Sequence, residues 1–281
     1  MRILLTNDDG IRAPGILALY EALSDANDFL GGPVLGAREV FPIAPLTVQS
    51  ATSHGITFHE PLMTQEASVP LSGLGHMRGI AVDGRPADCV KLAVSQLWPE
   101  KFGNGSRPDL LISGMNAGAN CGINVIYSGT VAAAIEGAFL GVPSVAISLH
   151  MGRGKARFDV AAVWARKTLD LLLKSGLPDR HSCVSINIPI TEGEHRSVRD
   201  PLPPIRVAPM NTHGLVDKYE RRVNPLGEVY YWAAGHGLDF HGTEEGTDVD
   251  LLLKRCITVT PLQYDLTRHS EIEHWRTRTG A

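Results

Sequence analysis

The stretch ISGMNAGANCGINVIYSGTVAAAIEGAFLG, residues 112–141, decides how this chain is read. An apolar run, Leu110 to Ile112, leads into Ser113. Gly114, Gly118, Gly122 and Gly129 then punctuate a loop holding Asn116, Asn120, Asn124, Tyr127, Ser128 and Thr130. Val131, Ala134, Ile135, Ala138 and Phe139 follow at helical spacing. A strand, a glycine-rich polar loop and a helix N-terminus in that order suit an anion. Unpaired N–H groups at the helix start, the positive end of its dipole and nearby hydroxyls converge on one point. The same residues would also serve a long structural turn, since glycine and asparagine are the usual occupants of positive-φ positions.

A second feature shifts the balance toward a ligand site. In LLTNDDGI, Arg2 to Thr6 reads as a short buried strand ending in Asn7, Asp8, Asp9 and Gly10, so two adjacent carboxylates sit at a strand's C-terminal end. Open α/β sheets bind ligands there. Pro14 fits the first turn of a following helix that carries Ile16, Leu19, Tyr20 and Leu23. Neighbouring carboxylates repel, and a bound cation resolves the repulsion most naturally where phosphate is also held. An Asx turn with solvated acids is the plainer alternative.

Alternating elements run to residue 190. Strands are expected at Arg2 to Thr6, Glu39 to Ala44, Pro108 to Ile112, Ser144 to Leu149 and Ser182 to Ile188, with helices at 14 to 25, 86 to 97, 129 to 140 and 158 to 174. The pattern predicts an α/β, doubly wound, Rossmann-like core over residues 1–190. Pro42 demotes its strand to an edge or a bulge. Phe158 to Leu173 reads as an amphipathic helix, with Val160, Ala161, Trp164 and Leu171 set against Arg157, Arg166, Lys167 and Lys174. Beyond Pro189 the texture changes to prolines and short strands such as Val229 to Trp232, then a helix and strand at Thr247 to Pro261. Residues 191–281 are expected to be a strand-containing arm rather than an independent domain.

Composition excludes several classes. A net charge of -4 leaves no electrostatic footprint for polymeric nucleic acid, and 6% aromatic residues give no extended stacking surface. Glu136, Gly141 and Pro143 interrupt the most apolar stretch, so no membrane segment is expected. The short apolar run before Thr6 is no signal-peptide core. Cys89, Cys121, Cys183 and Cys256 show neither CxxC nor zinc-type spacing, which suits reduced thiols in a cytoplasm.

LLTNDDGI, APGI and SGMNAGANCGINVIYSGTVAAAIEG closely resemble the SurE family of metal-dependent nucleotidases. VDGRPADCVKLA at 82–93, VSINIP at 184–189, NPLGEVYYW at 224–232 and GTDVDLLLKRCITVTPLQYDLT at 246–267 extend the resemblance over nearly the whole chain. It implies a phosphomonoesterase acting on nucleoside monophosphates with one divalent cation, Mg or Mn, per subunit. It also implies a C-terminal arm exchanged between the protomers of a homodimer or homotetramer. The implied metal ligands are Asp8, Asp9, Ser50 and Asn116, Ser50 being placed by the segment APLTVQSATSHGIT. The implied phosphate site comprises Asn116, Asn120, Ser128, Gly129 and Thr130. An all-oxygen ligand set suits a hard cation that keeps positions for water and phosphate.

This chain departs from the family pattern at Gln49, where arginine is usual, at Ala51, where glycine is usual, and at Arg85, where threonine is commoner. The stretch from Asp28 to Ala37 is also longer or looser than usual.

The chemistry expected is in-line attack on phosphate by a metal-activated water, with Asp8 or Asp9 as the catalytic carboxylates and the loop's donors stabilising developing charge. A covalent aspartyl-phosphate route ranks lower, because nucleophile phosphatases favour an alternating DxD and here the acids are adjacent. The rival class is a non-catalytic nucleotide-binding or regulatory module. A pure binder has no reason to set two carboxylates beside an anion. His54 is expected to be a surface or hydrogen-bonded structural residue, Asp88 a first-turn helix acid, and the aromatics at 230–232 packing residues.

Overall fold

The computed structural model describes residues 1–281 except 74, 194, 214–217, 235–241 and 281. Its elements begin with β1 (Arg2–Thr6), α1 (Pro14–Ser24), β2 (Glu39–Pro45), β3 (Met63–Pro70), β4 (His76–Asp83), α2 (Pro86–Leu92) and α3 (Trp98–Phe102). There follow β5 (Leu110–Ala117), α4 (Gly129–Phe139), β6 (Ser144–Leu149), α5 (Phe158–Leu172) and β7 (Cys183–Ile188). The remainder is β8 (Ile205–Val207), β9 (Lys218–Val223), β10 (Val229–Ala234), α6 (Asp248–Leu253), β11 (Ile257–Leu262) and α7 (Ile272–Thr279).

One nine-stranded sheet, in the order β3-β4-β2-β1-β5-β6-β7-β11-β8, forms the centre, and β9 and β10 make a separate hairpin. From β4 to β7 every pairing is parallel, while β3 and β11 run antiparallel to their neighbours β4 and β7. Strand period two sorts the core into two layers. Ile3, Leu5, Leu110 and Ile112 face α1 and α5, whereas Leu4 and Leu111 face α2 and α4. Chain order diverges at β1, with β2 on one side and β5 on the other, so the crevice beyond the C-terminal ends of β1 and β5 is the switch point.

The expected core strands and helices are present within a few residues, and four features differ. β2 is interior, not an edge: β4 and β3 lie outside it. Pro42 is tolerated because β2 pairs with β4 only from Ile43 onward, and because Gly79 opposite leaves room where a Cβ would meet the Pro42 carbonyl at 2.4 Å. The helix expected at 86–97 continues through a π-turn at Ala93–Leu97 into α3. Arg166 and Leu171 exchange their expected places: Leu171 is exposed and Arg166 buried. The Arg166 guanidinium is matched by Asp170 at 2.9 Å and by the carbonyls of Ala22 at 2.9 Å and Gly32 at 3.0 Å, so it joins α5 to the end of α1. Phe139 is exposed and meets Tyr264 edge-on.

Among the described residues no helix is long and apolar enough to cross a membrane. β11 and β8 belong to the main sheet, while the β9–β10 hairpin is exposed along its length.

Candidate active site

The site begins where β1 ends. The Asn7 amide donates to the Gly10 carbonyl at 2.9 Å, and Gly10 takes φ +95°, which only glycine adopts without strain. That turn leaves Asp8 buried and Asp9 half-buried at the switch point. The next segment folds back over it, with Ile11 N–H bonded to the Pro45 carbonyl at 2.8 Å and Gln49 N–H to the Asp8 carbonyl at 2.7 Å. Ser50 is thereby carried to the mouth of the crevice.

The opposite wall is the loop after β5. Register with β6 shifts between Ser113 and Asn116, and Asn116 then pairs with Ser148. The Asn116 side-chain amide donates to the Gly118 carbonyl at 2.8 Å, which leaves its side-chain oxygen as the atom that could meet a cation. Ala117 N–H donates to Asp9 Oδ2 at 2.9 Å. Asn120 is braced at its N–H by Asn187 at 2.8 Å and gives its amide to Ser148 Oγ at 2.9 Å. Ser128 caps α4, accepting from Val131 N–H at 3.1 Å. At Gly129 a Cβ would stand 2.9 Å from Asp8 Cβ and 3.0 Å from its Oδ2, so only glycine lets this helix start directly against the carboxylate. Thr130 Oγ1 completes the junction by donating to Asp8 Oδ1.

Burial raises the Asp8 carboxyl to about 6, with the Asp9 charge adding and the Thr130 hydrogen bond opposing. Burial also raises Asp9, against the Ala117 N–H. A cation in the cleft would displace protons from both acids. Among the described residues no three His, Cys, Asp or Glu side chains cluster, so a metal here would rely on the Asn116 and Ser50 oxygens beside the two carboxylates. Four hard oxygen donors around an open cleft fit a divalent cation that keeps water and phosphate ligands.

Asp8, Asp9, Ser50, Asn116, Asn120 and Ser128 all line one cleft of about 410 Å³. Gly129 and Thr130 lie behind Asp8, where their backbone N–H groups open the α4 N-terminus. Sequence reasoning did not single out His150 and Met151, which line the far wall, or assign roles to Asn124 and Tyr127. The available signal for His150 was position, since it directly follows β6 on the same sheet edge as Asp8. His54 is hydrogen-bonded, its Nε2 lying 2.7 Å from Glu136 Oε2. Asp88 is a first-turn acid of α2, accepting from Arg85 N–H at 3.0 Å and from Thr57. Ala51 stands at φ +55°, a left-handed conformation that glycine would adopt without strain. Arg85 is exposed and packs its guanidinium over Gly55. Tyr231 and Trp232 are exposed on β10 rather than packed in the chain's own core.

Fold and cleft define an α/β protein whose switch-point site sets an acidic turn against a helix N-terminus. The chain belongs to the SurE family: the profile described as Survival protein SurE matches residues 3–212. The 5'-nucleotidase SurE of Desulforudis audaxviator is 42% identical over 274 residues, covering 97% of this chain and 95% of that protein. The 5'-nucleotidase SurE of Rhodopirellula baltica is 41% identical over 285 residues, covering 99% of this chain and 100% of its own. The crystal structure of the Sure protein from Aquifex aeolicus superposes with a TM-score of 0.75 at 32% identity, covering 99% of this chain and 100% of that one.

Proposed function

We propose that the protein is a divalent-metal-dependent 5'-nucleotidase that hydrolyses nucleoside monophosphates to nucleoside and phosphate. The observation that carries this reading is the contact between Asp8 and the first turn of α4. A carboxylate pressed against a helix N-terminus, with a second carboxylate beside it, leaves cation and phosphate as adjacent ligands of one cleft. Family membership and the activity named for the relatives point the same way.

Asp8, Asp9, Asn116 and Ser50 would hold Mg or Mn, one per subunit. A divalent cation held there would supply Lewis acidity toward the phosphate and lower the pKa of the attacking water. The Ser128 hydroxyl and the Gly129 N–H would receive the phosphate oxygens, with Asn120 bracing the loop behind them, while Asp8 takes the Thr130 N–H and Ser128 Oγ the Val131 N–H. Asp9 Oδ2 accepts from Ala117 N–H, and Asp8 or Asp9 would take the proton of the attacking water.

Residues 1–190 act as the catalytic core and 191–281 as an arm that completes it. The exposed β9–β10 hairpin and the wholly unburied α7 support exchange of that arm within a homodimer or homotetramer. Four free cysteines suit a cytoplasmic setting. The test is phosphate release from a panel of nucleoside monophosphates after chelator treatment, with Mg or Mn restored and Asp9→Asn alongside. Metal-restored turnover that is lost in the variant is expected. Turnover that persists in chelator would refute the reading.

A further inference from the structure

Glu136 is a buried carboxylate further along α4, outside the cleft, and a buried charge is costly unless it is paired. Its two oxygens are taken by two other parts of the chain. Oε1 accepts from Lys91 Nζ of α2 at 3.0 Å, and Oε2 lies 2.7 Å from Nε2 of His54. Burial pushes this carboxyl up, but the hydrogen bonds from His54 and Lys91 bring it below its ordinary value, so it is an anion. His54 belongs to the segment that carries Ser50. Upstream, that segment is fastened by Gln49 N–H on the Asp8 carbonyl at 2.7 Å. Downstream, Ser53 N–H bonds the Tyr127 carbonyl at 3.1 Å and Ser53 Oγ bonds the Ile126 carbonyl at 2.7 Å. Ser50 and Ala51 between them are exposed, with Ala51 at φ +55° and Ser53 at φ +52°. Between those ends Thr52 Oγ1 donates to the Gln49 carbonyl at 3.0 Å.

We propose that Glu136 is a positioning residue: through His54 it pins the Ser50 segment to the helix whose first turn faces the phosphate, so that metal ligand and phosphate donors keep one fixed geometry. Lys91 holds the other oxygen, which aims the free edge of the carboxylate at His54. The inference rests on the reading of Ser50 as a metal ligand. Contacts that orient metal ligands commonly change metal affinity by roughly 10- to 100-fold when removed.

The test uses the purified full chain stripped with chelator, comparing His54→Ala with His54→Gln, whose side-chain amide can still donate to Glu136. Mn²⁺ affinity is measured by calorimetry, and amide hydrogen exchange is followed at Gln49 and Ser53. His54→Ala is expected to weaken Mn²⁺ binding about tenfold and to speed exchange at Ser53, while α4 amides hold and the metal-free melting temperature falls by only a few degrees. His54→Gln is expected to restore most of the affinity. Unchanged Mn²⁺ affinity in His54→Ala, while Asp9→Asn loses binding, would overturn the clamp and leave the metal site standing. Equal weakening in both His54 variants with a lowered melting temperature would also overturn it, as a general packing effect. A wild-type chain that binds no Mn²⁺ would remove the site reading and the clamp together.

Discussion

Replacing Asp8 by asparagine should make the metal-free protein more stable while ending metal binding. The carboxyl stands at about 6 in the folded chain against 3.8 when solvated, because burial and Asp9 disfavour its charge. The folded state therefore holds this proton more tightly than the unfolded state. The resulting stability is fully present below pH 3.8 and is lost as pH rises through about 6. By pH 8 the ionised carboxylate costs the metal-free fold about 3 kcal/mol. Asparagine cannot ionise, and its carbonyl still accepts from Thr130. In chelator at pH 8 the variant should melt roughly 5–10 °C above wild type, and at pH 5 the gap should shrink to about half. Added Mn²⁺ should raise the melting temperature of wild type alone. Calorimetric scans at both pH values, with and without metal, make the comparison. A variant no more stable than wild type at pH 8, or a gap independent of pH, would refute the claim that the site is built against its own ionisation.

Gly129→Ala should lower kcat at least tenfold, because a Cβ 2.9 Å from Asp8 Cβ pushes α4 off the carboxylate; steady-state kinetics at saturating metal read this out. Ala51→Gly should stabilise the metal-free chain by about 1 kcal/mol by relieving the φ +55° backbone, seen as a higher urea midpoint at constant slope. Asp248→Ala should destabilise by about 3 kcal/mol in the same experiment, because the Gly122, Asn211 and Val249 N–H groups, each 2.8 Å from this carboxylate, lose their acceptor.

The parallel centre of the fold was legible because β1, β6 and β7 are short apolar runs bounded by turn residues, as strands buried on both faces must be. The β3–β4 hairpin was not, since β3 buries only Ala67 and Val69 among polar neighbours. An outer strand covered on so little of its length leaves no clear alternation. Arg166 misled for the opposite reason: a charged residue at an apolar position reads as surface until the carbonyls of Ala22 and Gly32 are seen to receive it. At the site, Asp8, Asp9 and the loop residues were legible as chemistry in a turn. Ser50 was placed by family resemblance alone, because nothing local separates it from Thr47, Thr52 or Ser53. His150 and Met151 carry no motif, and only the parallel pairing of β6 beside β5 brings them into the cleft.

The cleft draws Asp8, Ser50, Asn116, Ser128 and His150 from the ends of strands, or the loops that follow them, and those strands pair across long stretches of chain. Such pairings close late, because loop entropy must be met before they return anything. A nascent or truncated chain lacking β5 and β6 would hold both aspartates yet have no opposing wall for a cation. A cation held by this cleft would therefore count finished molecules rather than polypeptides, and its binding to the folded chain alone would shift the balance toward completion.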